Sequence, residues 1–405
     1  MNILQAHKYF WRRDGASNYM VNLSQDLHSE GHKVVPFTMD QEQTLDSDYS
    51  DYYIEAYDLS DPDKYSIAKK IEIASKMIYN MDAKSNIEEL LEEIDIDIAH
   101  LHNIYHHISP SILLPLSRQG ADVVMTLHDY KLIAPNYTMF HHGEVHEENC
   151  EGWYTSCISD RCMDGSLAKS IIVTLEMIIH HKLWNVYDKY IDKFIAPSKF
   201  MQDICVKHGW DKDQFIHIPN PIDADEFEFS YDEGDYVAYI GRLAEEKGLE
   251  VLLDAAKKIP KIPVKIVGSG PMEDQLKQRV EQEKIDNVEF TGFLTGEPLK
   301  KRIRSADLVI LPSIWYENYP ISTLEAKAMG RIPIASSIGG LPEQLPGSLL
   351  VEPNQPSKLA EKIEQWYNNP AEKKKNIRRK LREEIEQEND PQKHLEQILS
   401  VYNSL

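Results

Sequence analysis

LPSIWYENYPISTLEAKAMGRIPIASSIGGLPE, residues 311–343, is the stretch whose reading decides the fold. Asp307 to Leu311 is a short apolar run that reads as a buried parallel strand, and Pro320 stands at the first turn of a segment to Ala328 with helical spacing. The small-residue run Ala326 to Gly330, a strand from Ile332 to Ala335 and the turn Gly339-Gly340 follow in order. Glu317 therefore falls in the loop leaving a strand, and Glu325 about two turns into the next helix. Open parallel sheets bind ligands in the crevice outside the carboxyl ends of their strands. A helix start at that place offers free N–H groups and a favourable dipole to an anion. Two carboxylates there can accept hydrogen bonds from hydroxyl groups. On spacing alone the same pair would read as a solvated loop and a solvated helix face, and the ordered context favours the first reading.

Working outward, 405 residues suggest two domains with ample core for each. The balance of 66 acidic against 44 basic side chains, a net charge of -22, excludes a broad polyanion-binding surface, so nucleic acid is not an expected partner. The most apolar run, Ile171 to Ile179, is short and contains Glu176, and no apolar segment follows a basic N-terminus. These features predict a cytoplasmic protein. The run KKKNIRRKLREE, residues 373–384, mixes charge signs at helical spacing and reads as a solvated helix face.

From the start of the chain, Met1 to Ala6 reads as a strand and Ser17 to Ser29 as a helix, joined by the loop HKYFWRRDGA, residues 7–16. Residues 41–66 read as a surface loop, with helical patterns over Ile67 to Tyr79 and Asn86 to Ile94. The strand Ile98 to Leu101 delivers His100 and His102, and Val123 to Leu127 delivers His128 and Asp129 at its carboxyl end. Next comes a segment carrying His146, Cys150, Cys157 and Cys162, whose gaps are not the tight C-x2-C pairs of structural zinc sites. The reading taken is plain thiols in an ordered lid. Zinc held by those four residues and a disulfide are the alternatives. Ser166 to Tyr190 reads as one long amphipathic helix, a core helix or one that touches a membrane surface.

The second half opens on a strand, Tyr236 to Ile240, followed by GRLAEEKG, residues 241–248, in which Arg242 offers a planar fork for phosphate oxygens and Lys247 a compact charge. Val264 to Val267 is the next strand, then the turn Gly268-Ser269-Gly270-Pro271 and a helix to about Lys284. A further strand ends at Gly292-Phe293-Leu294, and a tail helix falls near Pro391 to Tyr402.

Glu317 and Glu325, with seven residues between, resemble the E-x7-E signature of retaining glycosyltransferases of the family 4 type, which have the GT-B fold. The resemblance covers most of the chain. It implies an α/β protein of two facing Rossmann-like domains with parallel sheets and an interdomain cleft: an acceptor-side domain over residues 1–218 with a crossing helix at about 386–405, and a donor-binding domain over 219–385. It further implies a hexosyltransferase moving sugar, with retention, from a UDP- or GDP-sugar to a glycan or lipid-linked acceptor in cell-envelope polysaccharide or glycoconjugate synthesis, with contact at the inner membrane face as an option. Catalytic roles then fall to His128, Glu317, Arg242 and Lys247. Donor contacts fall to Gly15, Gly241, Arg242, Lys247, Gly268, Gly270, Phe293, Leu294, Glu317, Asn318, Tyr319, Pro320, Ile321 and Glu325, and the acceptor side to His100, His102 and Arg13. Ala16 stands where many relatives have a second glycine. No cofactor is implied, nor a divalent metal for transfer. The Asp-x-Asp triplets at Asp46 and Asp48, Asp61 and Asp63, Asp95 and Asp97, and Asp223 and Asp225 lack the converging strand-end context of a Mg or Mn site. The alternatives are a GT-B nucleotide-sugar epimerase and a catalytically inactive GT-B binding subunit.

Overall fold

The structure, a computed structural model, describes residues 1–58 and 64–405. Two six-stranded sheets organise it. Across the first, the strands run Phe215–His217, Lys193–Ala196, Asp122–Thr126, Ile98–Leu101, Asn2–Ala6 and Lys33–Phe37, every pair parallel. Across the second they run Val288–Gly292, Val264–Val267, Val237–Ile240, Leu308–Leu311, Ile332–Ser336 and Leu350–Val351, again all parallel. Helices cover parallel sheets on both faces, which is why Leu308–Leu311 is apolar at every position and wholly buried.

Both sheets reverse their strand order at one point, and those points face the site. In the first, Asn2–Ala6 lies between its successor Lys33–Phe37 and the later Ile98–Leu101; in the second, Val237–Ile240 lies between Val264–Val267 and Leu308–Leu311. Adjacent crossovers leave in opposite directions there and open a crevice at the strand ends. The loops after Ala6, Ile240 and Leu311 are therefore the ones free to hold a ligand.

The tail helix, Pro391–Tyr402, returns to the first sheet. Its Leu395, Ile398, Val401 and Tyr402 pack with Ile3, Tyr19, Leu23 and Leu27, and His394 Nε2 lies 2.9 Å from the Tyr19 hydroxyl. Asn389, just before it, donates through Nδ2 to the carbonyl of Asn220 at 2.8 Å and accepts from Ile222 N–H at 2.8 Å. The two strands of chain that pass between the sheets are thus tied to each other.

Four local readings differ from the sequence expectation. The charged helix, Ala371–Glu388, is not solvated all round, because Lys374 and Arg378 are buried and both reach the buried Asp307 carboxylate, Lys374 at 2.6 Å. The stretch expected as one helix over 166–190 is an α-helix Leu167–Met177, a π-helix Ile178–Leu183 and a short helix Val186–Tyr190 after the left-handed Asn185. Within residues 41–66, Ile54–Glu55 pairs in parallel with Met39–Asp40, just before that stretch, and Tyr53, Ile54 and Tyr57 are buried. The helix expected from Asn86 begins at Met81, where Asn80 accepts from the Asp82 and Ala83 N–H groups. Asp61 and Asp63 lie outside the described residues. Among the described residues, no helix is long and apolar enough to cross a membrane.

Candidate active site

A cleft of about 640 Å³ opens between the sheets, and one wall is the stretch 311–322. Glu317 is buried there, accepting from Lys247 Nζ at 2.8 Å and from Ser313 Oγ at 2.6 Å. Burial alone would raise its carboxyl, but Lys247 and the Ser313 hydroxyl outweigh that and hold it below its ordinary range. Lys247 also stands 4.7 Å over the Trp315 ring, so its ammonium is fixed by a carboxylate on one side and a π-face on the other. Arg242 is mostly exposed, held by Glu246 at 2.9 Å, and faces the cleft together with Gly241. Pro320, Ile321 and Ser322 line the same wall at the start of the helix Ile321–Ala328, where Ile321 and Ser322 present its open N–H groups. Two cations and a helix start converge in an otherwise acidic protein, which suits a compact polyanion.

The Gly339-Gly340 turn explains how the Glu317 loop holds its shape. A Cβ on Gly339 would lie 2.2 Å from the Glu317 carbonyl oxygen, and one on Gly340 would lie 1.8 Å from that of Asn318. Only two glycines admit that approach. Asn318 in turn crosses to the other half, donating through Nδ2 to the Leu127 carbonyl at 2.9 Å and accepting from Ser198 Oγ at 3.0 Å. Tyr319 is mostly buried and its hydroxyl meets Asn389 at 3.1 Å. Gly268 and Gly270 do not line the cleft. A Cβ on Gly268 would lie 1.9 Å from the Gly241 carbonyl oxygen, so these glycines let one strand-end loop pack against the other. Phe293 is exposed and Leu294 half-buried at the end of Val288–Gly292. Glu325 lies one turn behind Ile321, half-buried, and burial pushes its carboxyl up to about 7 although Lys300 acts the other way.

The opposite wall carries His128, Gly15 and Ala16. Gly15 begins the helix Gly15–Ser29, whose N-cap Asp14 accepts from Ser17 N–H at 3.0 Å. His128 Nε2 lies 3.1 Å from His102 Nδ1, and His102 Nε2 lies 2.8 Å from Gln5 Oε1. Burial lowers the His128 imidazole to about 3, so the ring is neutral at pH 7. With Gln5 Oε1 accepting from His102, the chain of partners makes His128 Nε2 the donor and leaves Nδ1 its lone-pair nitrogen. A second cavity of about 1040 Å³ adjoins this wall, lined by Lys8, Tyr9, Arg13, His106, Asp129 and, from the other half, Arg242.

Three sequence expectations are corrected. His100 is fully buried, with Nδ1 2.6 Å from the Tyr402 hydroxyl and Nε2 2.7 Å from Thr126, so it latches the tail helix to the sheet and has no face toward an acceptor. His102 is equally buried and stands behind the cleft lining, against His128 and Tyr19. Cys157 and Cys162 are joined in a disulfide and Cys150 is a buried thiol, so the set His146, Cys150, Cys157 and Cys162 cannot hold zinc and the lid cysteines are not all free. Arg13, by contrast, lines the larger cavity, stacked 4.2 Å over Tyr9.

Two features escaped the sequence reading. Glu176 is wholly buried behind the larger cavity, 2.7 Å from His106 Nε2 and 3.0 Å from Lys131 Nζ; burial would raise its carboxyl, but these partners hold it far below its ordinary range. A lone carboxylate inside the apolar run 171–179 was its signal. Glu343 accepts from the N–H groups of Lys199, at 2.8 Å, and Phe200, at 2.6 Å, capping a helix of the opposite half. Nothing in the local sequence announces that contact.

Comparison with known proteins identifies the family and the fold. The profile described as Glycosyltransferase Family 4 matches residues 13–226, more than half of the chain, and that described as Glycosyl transferases group 1 matches residues 222–386. The chain belongs to glycosyltransferase family 4. An uncharacterised glycosyltransferase of Methanocaldococcus jannaschii is 36% identical over 189 residues, covering 41% of this chain and 48% of its own. The O-antigen chain mannosyltransferase C of Escherichia coli is 29% identical over 187 residues, covering 45% and 47%. The chain spans about half the length of the curated relatives it matches. Among solved structures, the sucrose-phosphate synthase of Thermosynechococcus elongatus superposes with TM-score 0.71 at 18% identity over 100% of this chain and 98% of its own. Anabaena HepE, solved in complex with UDP-glucose, superposes with TM-score 0.68 at 16% identity over 100% of both chains. These likenesses establish the GT-B fold for this family 4 member.

Proposed function

We propose that the protein transfers a hexosyl group, with retention, from a UDP- or GDP-sugar to a glycan or lipid-linked acceptor in envelope polysaccharide or glycoconjugate synthesis. The carrying observation is the convergence of Arg242, Lys247 and the Ile321–Ala328 helix start beside the buried Glu317, across the cleft from His128. The first three meet the negative charge that grows on a departing diphosphate, and a preorganised site does so without reorganisation. Glu317 orients Lys247 and faces the sugar, Glu325 accepts from the ribose hydroxyls, and the neutral His128 contacts the transferred sugar from the acceptor side. In this reading residues 1–218 with 386–405 form the acceptor half and 219–385 the donor half, and the Arg13 cavity receives the acceptor. The UDP-glucose complex of Anabaena HepE makes UDP-sugars the first probes, and the name of the Escherichia coli mannosyltransferase makes GDP-mannose the second.

The test is a thermal-shift panel of UDP, GDP and their sugars, followed by NMR of the product made from the binding donor. A bound donor raises the melting temperature by mass action. Binding of one nucleotide series and a product with the donor's anomeric configuration are expected. A shift from none of them, or an inverted product, overturns the reading, and turnover without any acceptor would make the protein an epimerase.

A further inference from the structure

Beside the cleft, the hairpin Phe140–His141 with Glu144–Val145 brings together groups that the transfer reaction does not use. His141, His146 and Asp160 each offer one ligand atom, and these atoms lie within 4.8 Å of one another. The geometry points to a divalent transition-metal site, of the zinc class, held by His141, His146 and Asp160. Two imidazoles and one carboxylate are a recurrent zinc donor set, with the fourth position left to water, and a borderline ion accepts all three.

The surroundings of each ligand argue for the ion. His141 is buried, yet among the described residues its Nδ1 has no hydrogen-bond partner. Its Nε2 lies 2.6 Å from the Asn149 side-chain amide. Turned so that its oxygen faces the ring, that amide accepts Nε2–H and leaves Nδ1 as the lone pair a metal needs. His146 Nδ1 meets the Glu148 carboxylate at 2.6 Å, the arrangement that orients a ligating imidazole and leaves Nε2 to the metal. Asp160 lies inside the short loop closed by the Cys157 and Cys162 disulfide, and His142 Nε2 donates to its carbonyl at 2.9 Å, so its backbone is fixed before any ion binds. Zinc–nitrogen bonds of about 2.0–2.1 Å set tetrahedral edges near 3.4 Å, so binding draws the ligand atoms in by roughly 1.4 Å at most and turns the His141 and His146 rings, stacked here with centroids 3.8 Å apart, until both lone pairs meet the ion.

The site also has a consequence for the cleft. A Cβ on Gly143, at the hairpin turn, would lie 3.4 Å from the Glu245 carboxylate, so the turn passes close to that side chain, and Glu147, next to His146, accepts from the Tyr316 hydroxyl at 2.8 Å. An ion binding hairpin to disulfide loop would hold these contacts over the donor wall.

The full-length protein, stripped with EDTA and dialysed against one equivalent of Zn2+ or Co2+, provides the test, read by elemental analysis and visible absorption. One bound ion is expected, with a cobalt spectrum lacking the thiolate charge-transfer band. His146→Gln and Asp160→Asn should lose it, Glu148→Gln should weaken it 10- to 100-fold while keeping all three ligands, and Cys150→Ser should retain it. Failure of wild type to load, a thiolate band, or full loading of Asp160→Asn overturns the assignment. Should His146→Gln fail to fold, the Glu148→Gln and Asp160→Asn results decide alone.

Discussion

Arg242 and Lys247 look alike in the sequence and differ in the fold. Arg242 is mostly exposed and Lys247 is paired with a buried carboxylate. Arg242→Ala should therefore reduce turnover by about 10²–10³-fold, the loss of one preorganised donor, and leave stability unchanged. Lys247→Ala should do the same and in addition destabilise the protein by up to about 3 kcal/mol, since it strands Glu317 as a buried unpaired charge. Steady-state kinetics and urea unfolding on the two variants separate the effects, and equal stabilities would remove the pairing from the account. Glu325 carries the opposite sign. Its carboxyl is raised from 4.5 to about 7, so the folded state holds a proton that the unfolded state has lost. The stability this confers is complete below about pH 4.5 and is lost as pH rises through 7. Glu325→Gln should match the wild type at pH 4.5 and exceed it at pH 8 by up to about 3 kcal/mol, at 1.36 kcal/mol per unit, while binding UDP or GDP roughly tenfold more weakly. A pH-independent difference in unfolding free energy would contradict this.

Between elements, the halves are joined by side chains that cap or cross. Glu343 places a carboxylate on the N-terminus of Lys199–Lys207, where the unpaired N–H groups and the dipole both favour it. Glu343→Gln should weaken this joint by about 1 kcal/mol, which is roughly fivefold faster hydrogen exchange at Lys199 and Phe200 with the strands of both sheets unaffected. Exchange accelerated throughout the first half would mean that the helix itself had lost stability. The elements show where sequence pattern is informative. Strands buried on both faces and helices with one apolar face were legible as such, because period and composition follow from burial. The long helix over 166–190 was not, since its π segment keeps the apolar spacing while the backbone changes pitch, and Lys374 and Arg378 read as solvated because their partner Asp307 is far away in sequence.

At the scale of the molecule, the two strand-order reversals face one cleft, and the charge assembled there bears on metal dependence. Arg242, Lys247 and the Ile321–Ala328 helix start provide at one place the positive potential that a Mg2+ or Mn2+ ion provides in Asp-x-Asp enzymes. Adding either ion to zinc-loaded enzyme should leave the transfer rate unchanged; stimulation of tenfold or more would show that the donor site needs a cation. By itself the sequence determined the alternation of strands and helices, the Gly-Gly turn under Glu317 and the cations of residues 241–248, because each rests on local spacing and on residue types with few conformational options. Only the tertiary structure decided that His100 latches the tail helix, that Glu317 fixes Lys247, that Cys157 pairs with Cys162, and that His141, His146 and Asp160 meet. Those outcomes depend on which backbones come within hydrogen-bonding or bonding distance and on which charges lose their water, and neither quantity is carried by the order of residues along the chain.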